Sequence, residues 1–216
     1  MRALDVLALD RLRGELAACR RCAVAPEVRP VVSPARAPRA MLVGQAPGKS
    51  EISDGRAFTG RAGRTLFRWL ARGGIDEAWF REHVYIAAVT RCYPGPHPSG
   101  RGDRVPSPAE RARCGDWLAR ELAIIRPALV LPVGRLAIDR VLGDATLDQV
   151  VGRVHRVRLD GIETTVVPLP HPSGASGWIH VPGHAALLDA AIARIAESFA
   201  ALGDEAPADA RRRSVA

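Results

Sequence analysis

Four cysteines are the residues whose spacing in this chain points most directly to chemistry. Cys19 and Cys22 form a C-x2-C pair, and Cys92 and Cys114 follow far downstream. In a reducing compartment such a pair is a metal or redox site more often than a disulfide. Four thiolates suit either Zn²⁺ or a [4Fe–4S] cluster, and spacing alone does not choose between them. We expect a structural group that ties the N-terminal helix to the later loop. Buried, unligated thiols at Cys92 and Cys114 are the alternative.

Carboxylate, amide and aromatic side chains occur together in a glycine-rich segment, GQAPGKSEISDGRAFTGRAG, at residues 44–63. Glu51 is a candidate for orienting or deprotonating a water molecule, although a loop glutamate is more often only solvated. Gln45 can position water but cannot take its proton. Phe58 lies among glycines, which favours a pocket surface over a place in the core. A P-loop nucleotide site is excluded because Lys49 lacks the G-x4-G-K-[ST] frame.

A histidine motif, HPSG, occurs twice, starting at His97 and at His171. A lone histidine is usually structural, although its imidazole can also serve as a donor or acceptor near neutral pH. Only the second copy follows an all-apolar segment, residues 164–170, of the kind that forms a buried strand. We therefore expect His171 at the rim of a site and interpret His97 as a chance copy.

Alternating apolar runs and amphipathic stretches must position these residues. The predicted strands cover residues 40–43, 84–89, 128–134 and 164–170. The predicted helices cover residues 4–18, 64–72, 107–126, 134–142 and 185–201. Ser107, Pro108 and Glu110 form the capping box that starts the third helix. Strands alternating with helices indicate an α/β fold whose parallel sheet is covered on both faces. Because ligands bind at the carboxyl ends of such strands, we expect GQAPG, RCYPG and the second HPSG to converge at one rim.

Length, composition and charge bound the class of protein. The chain has 216 residues, 47% of them apolar and 25% charged, which predicts one domain over residues 1–203 and a disordered tail at 204–216. No apolar run approaches the ~20 residues that span a membrane, and the N-terminus lacks a signal-peptide pattern, so we expect a cytoplasmic protein. The net charge is +8, and Lys49 is the only lysine. Arginine makes bidentate phosphate contacts, so the charge favours a polyanionic partner, with biased genome composition as the alternative.

Taken together, the motifs resemble those of the iron–sulfur uracil-DNA glycosylases, families 4 and 5 of the uracil-DNA glycosylase superfamily. The resemblance covers roughly residues 15–200 and rests on Gly44–Gly48, Glu51, residues 55–63 with Phe58, Cys92 and the triplet His171-Pro172-Ser173. It implies a three-layer α/β/α fold with a central four-stranded parallel sheet, and a [4Fe–4S] cluster on Cys19, Cys22, Cys92 and Cys114. It also implies a monomeric DNA-repair enzyme that hydrolyses the N-glycosidic bond of uracil in DNA and leaves an abasic site without cutting the strand.

The resemblance also assigns roles to single residues. Breaking an N-glycosidic bond puts negative charge on the departing base and positive charge on the sugar, so the site needs donors beside the base and a held water beside the sugar. His171 would donate to O2 of uracil, and Phe58 would stack on the flipped base. The catalytic set is Glu51, His171 and Gln45, and the substrate-binding set is Gly44, Ala46, Phe58, Ala88 and Ser173.

Two positions and one loop depart from the family pattern. Ala88 stands where family 4 members tend to have an Asn that reads the Watson–Crick edge of uracil, and Gln45 stands where the motif often has Glu. Without the amide at position 88, we expect broader selectivity that includes other deaminated bases such as hypoxanthine, as family 5 resemblance implies. The insertion GPHPSGRGDRV lengthens the loop between the last two cysteines.

The main alternative is a non-turnover relative that binds or covalently traps uracil or abasic DNA. Some members of the superfamily carry an extra basic loop with a reactive histidine between the last two cysteines. The insertion here holds His97, Arg101 and Arg104 but no compact basic run that ends in histidine. Trp178 is a further candidate, either as a wedge in the gap left by a flipped base or as a core residue.

Overall fold

The computed structural model describes residues 3–22, 28–100, 102–173 and 177–203. Within them the strands are β1 (Ala40–Gly44), β2 (Val84–Ala88), β3 (Leu129–Pro132), β4 (His155–Leu159) and β5 (Ile162–Val166). The α-helices are α1 (Ala3–Ala17), α2 (Lys49–Asp54), α3 (Arg61–Arg72), α4 (Glu77–His83), α5 (Pro108–Ile125), α6 (Arg135–Leu142), α7 (Leu147–Val150) and α8 (His184–Ala201), with a 3₁₀ turn at Gly177–His180. The tail predicted at 204–216 lies outside the described residues.

The strands form one sheet in the order β2-β1-β3-β5-β4. β1 pairs in parallel with β2 and β3, β3 pairs in parallel with β5, and β4 runs antiparallel to β5. The predicted α/β fold is confirmed, but the sheet is five-stranded and mixed rather than four-stranded and parallel. The sequence HRVRL of β4 alternates between half-buried and exposed positions before its buried last residue and so lacks the continuous apolar run of β1, β2 and β3. Its neighbour β5, with the sequence IETTV, alternates as well. Asp160 and Gly161, both with positive φ, make the tight turn that joins β4 to β5.

The sheet has an apolar core on each face. Leu42 of β1 packs in a cluster with α3, α4 and α8, whereas its neighbours Met41 and Val43 pack in a cluster with α1, α5 and α6. Burying each such side chain stabilises the fold by about 1.5–3 kcal/mol, and a slip of one residue would exchange the two faces. A third cluster joins α1 to α5 beside two of the cysteines through Leu12, Leu16, Cys114 and Trp117.

Local capping rules set the ends of the helices around the site. α5 starts at the predicted capping box, in which the Ser107 hydroxyl accepts the Glu110 N–H and the Glu110 carboxylate accepts the Ser107 N–H. α2 is a short helix inside the glycine-rich segment, between Gly48 and Gly55, and was not predicted because the segment has the composition of a loop. No helix among the described residues is long and apolar enough to cross a membrane.

Candidate active site

A cleft of about 740 Å³ opens where the parallel strands end. Of the residues expected to touch substrate or reacting atoms, it is lined by Gln45, Ala46, Glu51, Phe58, His171 and Ser173. The remaining two, Gly44 and Ala88, line a smaller adjoining cavity that Ala46, Glu51 and Phe58 also border. The loops that follow β1, β2 and β5 thus meet at one rim, as the carboxyl ends of parallel strands must.

Phe58 is held in a backbone conformation that few side chains adopt. Its φ is +56°, and the buried Arg81 donates to the carbonyls of Ala57 and Phe58 at 2.7 and 2.9 Å. A Cβ at Gly63 would lie 1.8 Å from the Phe58 carbonyl oxygen, so glycine is required there. A Cβ at Gly44 would lie 3.1 Å from the Phe58 ring, which therefore rests against the end of β1. These contacts fix the ring between the cleft and the smaller cavity.

Glu51 is buried in the first turn of α2, with 8% of its surface exposed. Its carboxylate accepts the backbone N–H of Gly48 at 3.2 Å and also that of Phe58. Burial raises the pKa of Glu51, while the two backbone donors and then Arg81 lower it, and Asp103 raises it again. The carboxylate is therefore engaged with the backbone of the loop that carries Phe58.

His171 follows β5 and is half-buried in the wall of the cleft. Its Nδ1 accepts the Ser173 backbone N–H at 3.2 Å and lies 2.8 Å from Ser173 Oγ. An Nδ1 that accepts leaves the proton of a neutral imidazole on Nε2. Burial lowers the pKa of His171, which favours that neutral form. Gly134, with φ of +83°, makes room for the ring, because a Cβ there would lie 2.9 Å from it.

The described residues of the insertion between the last two cysteines, 95–100 and 102–104, pair as a hairpin, which we call the insertion hairpin. The His97 N–H donates to the Gly102 carbonyl at 2.9 Å, and the Arg104 N–H donates to the Gly95 carbonyl at 3.0 Å. His97 is exposed near the tip and does not line the cleft. This position gives no support to the alternative in which His97 traps DNA covalently. Arg101 lies outside the described residues.

Two charged residues of the insertion hairpin, Asp103 and Arg104, do line the cleft. Partial burial raises the pKa of Tyr93, and its hydrogen bond to Asp103 raises it further. Arg104 donates to both carboxylate oxygens of Glu110 at 2.7 and 2.5 Å and lowers the pKa of Glu110 to about 2. Since Glu110 also caps α5, the hairpin is joined to that helix. Asp103 was not predicted as a site residue, because the hairpin pairing decides which loop residue reaches the cleft.

Trp178 is built into the protein near the cleft. Its ring stacks on His184 with centroids 4.2 Å apart, and its Nε1 donates to Asp148. It is half-buried and packs against the larger core cluster. These contacts favour the core role over a wedge that enters DNA. Residues 174–176, which precede this turn, lie outside the described residues.

All four cysteines border one cavity of about 50 Å³, together with Arg20, Arg21, Arg91 and Arg113. None forms a disulfide. Burial raises the pKa of Cys92 to about 12, and the other three thiols add to the rise. Burial also raises the pKa of Cys114, although the Arg91 N–H donates to its sulfur at 3.3 Å. Thiols of this kind stay protonated until a bound cation displaces their protons.

The cysteine cavity fits a thiolate-bound group by its donor chemistry. Four thiols meet there, and the arginines around them offset the negative charge that ligation creates. Among the residues the structure describes, however, no three Cys, His, Asp or Glu side chains are already arranged to hold a metal ion. The cysteines are therefore brought to one place without forming a finished coordination set.

A buried ion pair lies between the cysteine cavity and the smaller cavity beside Phe58. Arg91 is 2% exposed and pairs with Glu121, which is fully buried and accepts the Tyr85 hydroxyl at 2.8 Å. Arg91 borders both the cysteine cavity and the smaller cavity beside Phe58. Removing one partner of such a pair typically costs about 3–5 kcal/mol, so the chain leading into Cys92 is firmly held against α5. Sequence reasoning missed this pair because Glu121 occurs in an ordinary helical pattern.

Comparison with known proteins adds an independent finding. Residues 30–189 match the family model of the uracil DNA glycosylase superfamily. A type-4 uracil-DNA glycosylase of Archaeoglobus fulgidus is 34% identical over 172 residues, which are 76% of this chain and 81% of that protein. The type-4 enzyme of Thermotoga maritima is 33% identical over 62% of this chain and 65% of its own. A type-5 uracil-DNA glycosylase of Pyrobaculum aerophilum is 33% identical over 50% of this chain and 51% of its own.

Proposed function

The chain belongs to the uracil DNA glycosylase superfamily, and we propose that it removes uracil from DNA as a step of DNA repair. The enzyme is a hydrolase of N-glycosyl bonds, as the names of its type-4 relatives indicate for those proteins. Its product is DNA with an abasic site.

One observation carries the proposal: a neutral histidine donor, an aromatic ring and a carboxylate line the same cleft. They are His171, Phe58 and Glu51. N-glycosidic cleavage needs a donor at the departing base, a surface that receives the base and negative charge near the sugar. The three groups come from three separate segments, so their convergence depends on the fold.

The reaction breaks the bond between C1′ of the deoxyribose and N1 of uracil. The bonding pair leaves with the base, so negative charge collects on N1 and O2 and the sugar becomes cationic. In our proposal His171 Nε2–H donates to O2 and the Phe58 ring stacks on the flipped base. Glu51 stabilises the cationic sugar through its charge, and Gln45 positions the water that adds to C1′. Ser173 holds the His171 ring in its donor form.

We propose that the flipped base lies on Phe58 in the cleft, with its Watson–Crick edge towards the smaller cavity of about 20 Å³, and that the selectivity of the enzyme is broad. Gly44, Ala46 and Ala88 border this cavity, and no side-chain amide occurs among the described residues around it. A site that offers the Watson–Crick edge no side-chain amide, with its paired donor and acceptor, discriminates weakly between bases. Hypoxanthine and other deaminated bases are therefore proposed as further substrates.

DNA binding is proposed to rest on arginine and on the cationic residues of the cleft. The net charge is +8, and both Lys49 and Arg61 are exposed and line the cleft. Contacts of this kind to phosphates weaken steeply as salt is raised. We propose a monomer that acts in the cytoplasm, a reducing compartment that suits four cysteines outside disulfides.

We also propose that the enzyme is monofunctional. Strand cutting by a glycosylase needs an amine that attacks the sugar carbon, and Lys49, the only lysine in the chain, is the residue to which we assign phosphate binding in the cleft. We expect abasic product without strand breaks until alkali is added. Strand breaks that appear without alkali and disappear in Lys49→Ala would contradict this.

For the cysteines we propose a [4Fe–4S] cluster on Cys19, Cys22, Cys92 and Cys114, with Zn²⁺ as the alternative. What supports it is the shared cavity and the family resemblance. When bound, the cluster would act as a structural link between α1 and α5, with no part in bond breaking. Purified protein should contain iron and sulfide, and Cys19→Ala should lower the yield of folded protein. Stoichiometric zinc without iron after anaerobic purification would contradict the cluster.

The function itself is tested with oligonucleotides that contain one uracil, hypoxanthine or xanthine, in single strands and in each mispair. Released base is measured directly, and abasic product is measured as strand breaks after alkali. We expect uracil to be released, with His171→Ala as the slow control. Failure of the wild-type protein to release any of the three bases would overturn the proposal.

A further inference from the structure

The proposed reaction needs a group that accepts a proton from the attacking water. The amide of Gln45 cannot do so. Two carboxylates line the described part of the cleft, Glu51 and Asp103. Glu51 is buried and committed to the backbone N–H groups of Gly48 and Phe58, so protonating it would weaken the bonds that hold the loop.

Asp103 brings its carboxylate to the same place from a different element. A Cβ on Gly48 would lie 3.2 Å from Asp103 Oδ2 and 3.9 Å from Glu51 Oε1, so the two carboxylates converge on one backbone position. Their charges interact, because Asp103 raises the pKa of Glu51. Unlike Glu51, Asp103 is exposed, so water in the cleft can reach it.

The insertion hairpin fixes the position of Asp103 from several sides. Asp103 forms a backbone bridge with Pro96 across the hairpin. Its neighbour Arg104 pairs with Glu110 at the start of α5. Its side chain hydrogen-bonds with Tyr93, whose hydroxyl is the donor to an ionised carboxylate. A carboxylate held in this way is preorganised, which a water-activating group requires.

We propose that Asp103 is the catalytic base of this enzyme, with Tyr93 as a positioning residue; the inference rests on the proposed uracil excision. As the bond from C1′ to N1 breaks, its electron pair leaves with uracil, and the water oxygen forms the new bond to C1′. One proton of that water passes to the Asp103 carboxylate and then to solvent. The uracil anion, stabilised by the His171 donor, takes a proton from solvent after release.

Two measurements on Asp103→Asn, its DNA affinity and its rate of bond cleavage, distinguish a catalytic base from an ordinary surface residue. A carboxylate at the mouth of the cleft repels DNA phosphates, so removing its charge should tighten DNA binding in either case. If Asp103 only faces solvent, Asp103→Asn leaves the rate of bond cleavage unchanged. If Asp103 is the base, the same variant binds DNA at least as tightly and cleaves more slowly. A slower cleavage rate together with undiminished DNA affinity therefore identifies the catalytic role.

The experiment measures single-turnover release of uracil from an oligonucleotide at saturating protein, and measures affinity separately with a non-hydrolysable deoxyuridine analogue. Loss of a general base typically slows a reaction about 10²–10⁴-fold, and we expect Asp103→Asn to fall at the lower end, about 10²-fold. Asp54→Asn is the matched control, because Asp54 is an exposed carboxylate at the end of α2 that does not line the cleft. It should leave the rate unchanged.

Tyr93→Phe is a second variant that keeps the carboxylate and removes its hydroxyl partner. We expect it to cleave at least about 10-fold more slowly, as the loss of one hydrogen bond to a charged group predicts. Rates within about twofold of wild type in both variants, beside a slow His171→Ala, would overturn the assignment of Asp103 and leave uracil excision standing. An inactive wild-type protein would instead overturn the proposed function.

Discussion

The two HPSG segments share a sequence and a local geometry but lie in different surroundings. In each, the histidine Nδ1 accepts the serine N–H at 3.2 Å and lies 2.8 Å from the serine Oγ. His171 follows β5, is half-buried and lines the cleft, whereas His97 is exposed near the tip of the insertion hairpin. The tetrapeptide therefore sets the tautomer of either histidine, and the sheet decides which histidine can meet a substrate.

The largest expected difference between the two segments is in catalysis. Removing a donor to a departing anion typically slows a reaction about 10²–10³-fold, so His171→Ala should cleave uracil slower by that factor and still bind DNA. His97→Ala should cleave at the wild-type rate. Both are measured by single-turnover release of uracil. If His97→Ala were as slow as His171→Ala, the wrong copy would have been chosen and covalent trapping would become the leading hypothesis.

Each histidine has a glycine near it in space, and substituting these two glycines should give a second, smaller difference in activity. Gly134→Ala would place a Cβ 2.9 Å from the His171 ring, at a φ of +83°. We expect up to about 10²-fold slower cleavage from the displaced ring. The strained backbone should also lower the free energy of unfolding by about 1–3 kcal/mol.

Gly100→Ala is the matched control, since Gly100 ends the first HPSG at a φ of +73° with nothing within 4 Å of its added Cβ. Its free energy of unfolding should fall because of the backbone strain, and its rate of uracil release should equal that of wild type. Equal losses of activity in the two variants would mean that the space around His171 has no special importance.

The smaller cavity that adjoins the cleft can also be altered. Ala88→Asn would add an amide to the smaller cavity, at the position where the family 4 pattern tends to have one. We expect the ratio of uracil to hypoxanthine release to rise by about tenfold or more, since hydrogen-bonded sites reject bases that leave their groups unpaired. The measurement is the pair of single-turnover rates in wild type and variant. An unchanged ratio would place base selection elsewhere.

The smallest expected effect is on the pH dependence of the free energy of unfolding. Burial lowers the pKa of folded His171 from its usual 6.5, so below about pH 6.5 the unfolded chain binds a proton that the folded chain refuses. The stability that neutral His171 provides is therefore complete at about pH 8 and declines as the pH falls through 6.5. We measure the free energy of unfolding with denaturant at pH 8 and at about pH 5.5. Its decrease between these two pH values should be smaller in His171→Ala than in wild type, by on the order of 1 kcal/mol.

The sequence was most informative where local rules and burial agree. Strands β1, β2 and β3 and the capping box at Ser107 were predicted, because continuous apolar runs and capping residues act over a few positions. The strand expected at residues 164–170 was placed too late, since β5 covers Ile162–Val166. β4 was missed although Asp160 and Gly161 carry a hairpin signal, because its alternating pattern with two arginines does not look buried. Asp103 could not be predicted, since its place at the cleft depends on pairing within the hairpin and on the distant contact between Arg104 and Glu110.

The strand order also has a consequence for synthesis of the chain. β1 and β2, the four cysteines and the glycine-rich segment all lie before residue 115, whereas β3, β5 and His171 come later. Chains emerge from the ribosome N-terminus first, so the cysteine cavity can assemble before the histidine donor exists. Until β3 arrives, β1 is paired only with β2, and its other edge, apolar on both faces, is open to pairing with other chains. In the finished enzyme β1 is paired on both sides, with β2 and β3, and only in the nascent chain is it an edge strand.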